Sequence, residues 1–395
     1  MEYINRLQAP KITEVLERNK SVLLLGPRQT GKTTLLNLLK SDLYISFAKP
    51  KVRQQHETDL GLLIEEVQKM AKGKSYRPLV LLDEVQKVPH VMDSAQYLID
   101  SKVANFVLTG SSARKLRRGP NVNLLPGRVI ALHLDPLVLS EHIPSSLEDL
   151  LLYGSLPGIL ALEEKNQREE ALESYVTIYL EEEVRAEAIV RNLGSFARFL
   201  EYAAAESGQG VNFRKLSQEI GVAQTTIMDY YQILEDCLIA ERIEPLIKSK
   251  TRRKLTRAQK YLFFDLGVRR LAAREGTAPA KEIWGRLFEQ WVGLELLKCM
   301  RLAETRARLR FWRDPSGPEV DWIIERKGHF IPVEVKWTAA PAARDIKHLE
   351  IFLSEYSNSR EGYLVCRVER PLQMTRRITA IPWQQVDDLI FKPEA

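Results

Sequence analysis

The segment Gly26-Pro27-Arg28-Gln29-Thr30-Gly31-Lys32-Thr33-Thr34 follows directly on the apolar run Val22-Leu23-Leu24-Leu25. Its spacing, Gly-x-x-x-x-Gly-Lys-Thr, is that of a phosphate-binding loop, and no other stretch constrains the fold as tightly. Such a loop needs a buried strand before it and a helix after it. The apolar run reads as the strand and Thr34-Leu35-Leu36-Asn37-Leu38-Leu39 as the helix. The glycines, Gly26 and Gly31, let backbone N–H groups turn inward around phosphates, and the start of the helix adds positive potential. Lys32 then meets the outer phosphates as a point charge, and the Thr33 hydroxyl holds Mg²⁺. Pro27, Arg28, Gln29, Thr30 and Thr34 complete the expected nucleotide-binding loop. The plain alternative is a glycine-rich turn between strand and helix.

The second half of such a site is an acid at the tip of a neighbouring strand. Leu79-Val80-Leu81-Leu82-Asp83-Glu84 supplies four apolar residues and then two carboxylates. Asp83 is expected to bind Mg²⁺ and Glu84 to orient and deprotonate the attacking water, which makes hydrolysis the expected chemistry. A third strand, Phe106-Val107-Leu108, ends in Thr109-Gly110-Ser111-Ser112. Ser111 is the candidate contact to the γ-phosphate or the water, with helix capping as the alternative reading. Phosphoryl transfer often needs a guanidinium from a neighbouring subunit. Arg128, after Gly127 at a strand edge, is the first candidate and Arg118 the second; either also reads as a surface charge.

Composition sets the frame. With 395 residues the chain has room for two or three domains; its 45% hydrophobic and 28% charged content is that of an ordinary soluble protein. No stretch approaches the roughly 18 apolar residues of a membrane span. Met1-Glu2-Tyr3-Ile4-Asn5-Arg6 lacks the pattern of a secretory signal, and Cys237, Cys299 and Cys366 form no C-x-x-C pair. A cytoplasmic protein without membrane contact is expected. The organisation reads as four regions: an α/β region with a mostly parallel sheet over 1–143, helices over 144–194, a helix-turn-helix with a basic hairpin over 195–276, and a small α/β unit over 277–395.

The third region carries the nucleic-acid signal. Phe213, Leu216 and Ile220 share a helical face, Gly221 makes the turn, and Val222 and Ile227 close a small core. The second helix exposes Gln224, Thr225, Thr226 and Asp229 near its start, where a recognition helix meets DNA. Ile239–Leu246 and Lys260–Phe264 can pair as strands. Between and including their ends, residues 248–260 hold seven basic residues and no acid, among them Lys248, Lys250, Arg252, Arg253, Lys254 and Arg257. A basic wing beside a helix-turn-helix suits binding of a phosphate backbone; packing between subunits is the other reading.

In the last region, a two-residue turn at Lys327-Gly328 sets a hairpin register that pairs Arg326 with His329. Counting outward puts Asp321 opposite Glu334 and Glu319 opposite Lys336. Alternation gathers these four on one face and Val320, Trp322, Ile324, Ile331, Val333 and Val335 on the other. Two opposed carboxylates repel, and a divalent cation held by Asp321 and Glu334 would resolve the repulsion.

The motifs GPRQTGKTTL, LLDEVQ, LTGSS, LPGR, YGSLPG and YLEEEV together resemble a widespread bacterial and archaeal ATPase family. Its members join an AAA-type P-loop core to a winged helix and a C-terminal domain of restriction-endonuclease-like fold. The resemblance spans essentially the whole chain and implies an α/β AAA+ core with a helical lid, ATP as nucleotide, and a homo-oligomer, with a hexamer among the expected forms, as active form. The last region further resembles the PD-(D/E)-x-K nuclease motif. That likeness implies Asp321 and Glu334 as metal ligands, Lys336 beside the nucleophilic water, and Glu289 as the helical acid; Val320 stands where the motif has proline. The expected function is a DNA-directed ATPase that remodels or translocates duplex or branched DNA. Two other readings are an ATP-regulated metal-dependent nuclease and a nucleotide-gated protein scaffold.

Overall fold

Short apolar runs pair into one fully parallel sheet in the first part of the chain: β1 (Ser21–Leu25), β2 (Leu43–Ser46), β3 (Leu79–Asp83), β4 (Asn105–Gly110) and β5 (Val129–His133), in the order β2-β3-β4-β1-β5. The computed structural model describes residues 4–111, 125, 127–180, 193–247, 258–314 and 317–392. It divides into two units, Met1–Leu137 with Asp236–Ile239, and Val138–Glu235 with Ala240–Ala395. Among the described residues no helix is long and apolar enough to cross a membrane.

In the first unit the strands are apolar without alternation because both faces are covered. Val22, Leu24, Leu81 and Val107 pack against Ile12, Leu35 and Leu36 on one side. On the other, Leu23, Leu82, Phe106 and Leu108 meet Leu63 and Val67 of the helix Leu62–Ala71 and Ala95 and Leu98 of the helix Val91–Asp100. Parallel pairing brings the carboxyl ends of β1, β3 and β4 to one edge, where ligands of such sheets bind. β2 was not expected from the sequence: it is an edge strand of four residues whose Tyr44 faces solvent.

The second unit holds eight strands, β6 (Ala240–Pro245), β7 (Lys260–Phe263), β8 (Arg308–Arg313), β9 (Glu319–Arg326), β10 (His329–Val335), β11 (Gly362–Cys366), β12 (Leu372–Thr375) and β13 (Ile378–Pro382). Their order is β12-β13-β11-β10-β9-β8-β6-β7. The turn between β9 and β10 has positive φ at both Lys327 (50°) and Gly328 (81°), as a tight hairpin of matching twist requires. Arg326 pairs with His329, and the ladder continues in that register to Trp322 and Val333.

The expected division of faces needs one correction. On its other side β9 meets β8 with Arg310 opposite Ile323 but Trp312 opposite Val320, so β9 carries one extra residue, a bulge around Asp321 and Trp322. Beyond the bulge Val320 changes face. Trp322, Ile324, Val333 and Val335 pack with the helix Lys281–Leu302, whereas Val320, Ile323 and Phe330 pack with Leu349, Phe352 and Leu353 of the helix Lys347–Glu355. Both faces of the hairpin are therefore cores, and the carboxylates are inserted between them.

The helix-turn-helix is formed by Phe213–Ile220 and Gln224–Asp236. Asn212 caps the first helix by accepting from Lys215 N at 3.0 Å, and Gly221 turns the chain at φ 77°. Leu216, Ile220 and Ile227 are buried, while Gln224, Thr225 and Asp229 are exposed. β6 and β7 pair antiparallel, but this hairpin does not stand apart: Glu244 and Pro245 pair with Arg310 and Phe311, so it joins the sheet of the C-terminal region. Its tip, with Lys248, Lys250, Arg252, Arg253, Lys254 and Arg257, lies outside the described residues, as does Arg118.

Glu295, on the helix Lys281–Leu302, is 1% exposed and accepts from Leu139 N at 2.6 Å, with Lys298 Nζ at 3.8 Å. Burial pushes its pKa from 4.5 up to about 7, against the pull of Lys298 and Leu139 N and with a further push from Asp387 and Glu141. The folded chain thus holds this proton more tightly than the unfolded one. The stability so gained is complete below about pH 4.5 and is lost as pH rises through about 7. Glu295→Gln should flatten this part of the pH dependence, raising the thermal midpoint at about pH 7.5 relative to pH 5 by roughly 2–4 °C compared with wild type. Melting curves of both proteins across this range check it, and parallel profiles would contradict it.

Candidate functional site

At the carboxyl edge of the first sheet the loop between β1 and the helix Lys32–Leu36 closes on itself. Gly31 has φ 93°, a left-handed conformation that favours glycine, and so begins the helix. Gly26 is glycine for a different reason: a Cβ there would stand 2.2 Å from Leu134 O, so the neighbouring backbone leaves no room. Thr30 Oγ1 donates to Pro27 O at 3.0 Å, while Gln29 is exposed with φ 61°. Lys32 is buried, and its ammonium donates to Gly26 O at 2.8 Å and Pro27 O at 2.7 Å. Its charge is thus held at the mouth of the loop by carbonyls that a phosphate can replace. Arg28 is half-buried and Thr34 exposed.

Strand order decides what surrounds Asp83. β4 lies between β1 and β3, and β2 flanks β3 on the far side, so three strand ends and the loop converge on one carboxylate. Asp83 is 2% exposed; its Oδ2 accepts from Thr33 Oγ1 and Tyr44 OH, both at 3.1 Å, and from Ser46 Oγ at 3.5 Å. Thr109 Oγ1 donates to its Oδ1 at 2.5 Å. Burial and the Asp83 charge hold the Tyr44 phenol above its usual pKa, so it remains a donor. The oxygen pair of Thr33 and Asp83 is a hard donor set that fits Mg²⁺.

Glu84 follows with φ 64°, which turns it out of the strand direction. Its N–H donates to Thr109 Oγ1 at 3.2 Å, and its Oε2 accepts from Gln86 Nε2 at 2.7 Å. The same Gln86 amide donates to Ser111 Oγ at 2.8 Å, so Ser111 is joined to Glu84 through one side chain. Sequence reasoning did not assign the roles of several residues here, Tyr44 and Ser46 of β2 among them. Thr109, at the tip of β4, serves both Asp83 and Glu84. Gln86 links Glu84 to Ser111. Arg6, buried near the amino terminus, donates to Thr30 O at 2.5 Å and Asp135 O at 2.7 Å, bracing the loop against the turn after β5.

Arg128 is elsewhere. Val129 pairs with Ser21, the first residue of β1, so Arg128 lies at the amino edge of the sheet. One strand of five residues, about 16 Å, separates that edge from the loop. Its Nε donates to Asp100 Oδ1 at 2.7 Å on the partly exposed surface. It does not reach the phosphate loop of its own chain.

The second unit gathers the carboxylates of the hairpin. Asp321 Oδ2 accepts from Val335 N at 2.8 Å, replacing a rung of the ladder where β9 bulges. Glu334 Oε1 accepts from Lys336 Nζ at 2.6 Å, while its buried Oε2 has no hydrogen-bond partner. Glu289 is in place on its helix, but its partner is one the sequence did not announce: Lys260 of β7, whose Nζ is 2.9 Å from Glu289 Oε1. Burial, with the Glu334 and Glu289 charges beside it, holds the Asp321 carboxyl well above the usual carboxylate range. Burial likewise pushes Glu334 up to about 7, against the pull of Lys336. Among the described residues no three His, Cys, Asp or Glu side chains come together to hold a metal ion. Among the described residues the expected divalent site at Asp321 and Glu334 therefore has no third His, Cys, Asp or Glu side chain.

Residues 18–143 match a family described as an AAA domain. Residues 144–278 and 284–386 match two families each described as a domain of unknown function, DUF8612 and DUF4143. The uncharacterized proteins Rv2008c of Mycobacterium tuberculosis and Mb2031c of Mycobacterium bovis are each 27% identical over 337 residues, 85% of this chain and 74% of theirs. The uncharacterized protein MJ1637 of Methanocaldococcus jannaschii is 24% identical, with 72% of this chain and 70% of that one covered. Among solved structures, Cdc6p from Pyrobaculum aerophilum is similar at 12% identity and a TM-score of 0.27, covering 69% of this chain and 94% of that one. The phosphate loop and the acid-tipped β3 both lie within residues 18–143, the part of the chain that is similar to the AAA domain family.

Proposed function

We propose that the protein is a Mg²⁺-dependent ATP hydrolase whose turnover is directed by DNA. The observation that carries the reading is the convergence of Lys32, Thr33 and Asp83 at one sheet edge, with Thr33 Oγ1 3.1 Å from Asp83 Oδ2. Thr33 and Asp83 would hold Mg²⁺, which would neutralise charge on the phosphates. Lys32 exchanges the carbonyls of Gly26 and Pro27 for the outer phosphates. Gly26, Pro27, Arg28, Gln29, Thr30, Gly31 and Thr34 line the path of the phosphates. Glu84 accepts the proton of the attacking water, and Gln86 keeps its carboxylate aimed and in touch with Ser111, the contact to the γ-phosphate side.

Because Arg128 stands at the opposite edge of the sheet, only a neighbouring subunit's site is open to it. A homo-oligomer, with the hexamer as its proposed form, in which Arg128 completes the adjacent site accounts for an arginine so placed. DNA is the partner proposed for the helix-turn-helix, whose Gln224 and Thr225 are exposed, and for the basic run Lys248, Lys250, Arg252, Arg253, Lys254 and Arg257. Metal-dependent cleavage at Asp321 and Glu334 is left out of this reading, since a third ligand is lacking among the described residues.

Lys32→Ala should abolish hydrolysis and weaken nucleotide binding. Glu84→Gln should bind ATP normally yet turn over roughly 10²–10⁴-fold more slowly, the usual contribution of a general base. Steady-state ATPase rates and nucleotide titrations check both, and a Glu84→Gln protein with normal turnover would overturn the base assignment. Arg128→Ala should bind ATP and lose most hydrolysis, and mixing it with Lys32→Ala protein should restore part of the activity, since each supplies the half-site the other lacks. Freely exchanging mixtures without any recovery would contradict a shared site.

A further inference from the structure

The carboxylates of the second unit sit close together between two cores, and such a cluster needs a compensating cation. We propose that this cation is built into the chain: the ammonium of Lys260 takes the place that this kind of site gives to a divalent metal, so the charge of the cluster is compensated in part from within the chain and the cluster excludes Mg²⁺ and Mn²⁺.

Three observations support it. The first is where Lys260 stands. It begins β7, opposite Ile243 of β6, and its side chain is 11% exposed. It reaches Glu289 Oε1 at 2.9 Å, with the rings of Phe311 at 4.9 Å and Trp322 at 5.0 Å from its nitrogen. Two aromatic faces and a carboxylate form a receptacle for an ammonium, and aromatic faces favour a cation stripped of water. Both rings are buried, so the receptacle is part of the core.

The second is how the remaining ligand atoms are used. Asp321 spends Oδ2 on Val335 N and Glu334 spends Oε1 on Lys336 Nζ, which leaves the buried Glu334 Oε2 as the oxygen without a hydrogen bond. A divalent ion of this class takes six or more oxygen ligands, and among the described residues no three acidic, cysteine or histidine side chains converge on one point. The third is charge. The Lys260 ammonium is paired with Glu289 at 2.9 Å and enclosed by the rings of Phe311 and Trp322. An ammonium held this firmly repels an incoming divalent cation. Lys260 pairs with Glu289 and Lys336 with Glu334, so two ammoniums compensate part of the charge of the three carboxylates Glu289, Asp321 and Glu334.

The test uses the full-length protein without nucleotide, melted over a MnCl₂ titration, as wild type, Asp321→Asn, Lys260→Met, Lys260→Met/Asp321→Asn and Lys260→Arg. Wild type and Lys260→Arg should melt at midpoints independent of Mn²⁺ at the C-terminal cluster. Lys260→Met should melt several degrees lower, and Mn²⁺ should raise its midpoint by mass action. That response should vanish in Lys260→Met/Asp321→Asn. A wild-type response to Mn²⁺ that Asp321→Asn removes would overturn the proposal. So would a Lys260→Met protein indifferent to Mn²⁺, since the lysine would then not be holding a cation's place. Should Lys260→Met fail to fold, Mn²⁺ bound per chain is counted by electron paramagnetic resonance in wild type and Asp321→Asn. Equal counts support the built-in cation, and a lower count in Asp321→Asn refutes it.

Discussion

The carboxylate of Asp83 is the point on which the nucleotide site depends. It is almost wholly buried, yet hydroxyls from Thr33, Tyr44, Ser46 and Thr109 all approach it. Those four groups come from the phosphate loop, β2 and β4, so a single charge ties the loop to strands on both sides of β3. A buried carboxylate is costly unless hydrogen-bonded, and each hydroxyl that satisfies it also fixes one strand end. The geometry of Glu84 follows, because the Thr109 hydroxyl that donates to Asp83 also accepts from Glu84 N. Chemistry and sheet registry are in this sense one problem, solved by the same contacts.

The second unit solves a related problem differently. Its carboxylates are matched by ammoniums from two directions, Lys336 from the strand end beside Glu334 and Lys260 from a strand contributed by the helix-turn-helix region. The parallel pairing of β6 with β8 is what brings Lys260 there. A hairpin that looks in sequence like the edge of a DNA-binding module is thus also a structural element of the C-terminal sheet. Any account of how this module acts has to treat the two regions as joined by backbone pairing and by charge.

What the sequence disclosed and what it hid divide along contact distance. The phosphate loop, the acid tip of β3 and the β9–β10 turn are legible because their physics is local: Gly31 needs positive φ, and Lys327-Gly328 needs it twice. The bulge that turns Val320 to the other core carries no glycine or proline to mark it. Lys260 and Glu289 are 29 residues apart, and Arg6 and Asp135 are 129 apart. Such pairs are chosen by the folded sheet, and nothing in a single sequence signals them. Arg128 shows the converse. Its neighbours Gly127 and Val129 mark a strand start, but only the parallel register with Ser21 reveals that this start lies at the edge away from the phosphates.

The central claim is that DNA governs ATP turnover at the Lys32–Asp83 site. The most direct measurement is the steady-state ATPase rate of the full-length protein with single-stranded, duplex and branched DNA, at several salt concentrations, beside a protein with Lys250, Arg252, Arg253 and Lys254 neutralised. The account predicts that at least one DNA form raises the rate severalfold. It also predicts that the stimulation weakens as salt rises, because phosphate contacts release condensed counterions, and that the neutralised protein loses most of it. A rate indifferent to every DNA form, in a protein that hydrolyses ATP and loses that activity with Glu84→Gln, would contradict it and leave an ATPase directed by something other than nucleic acid.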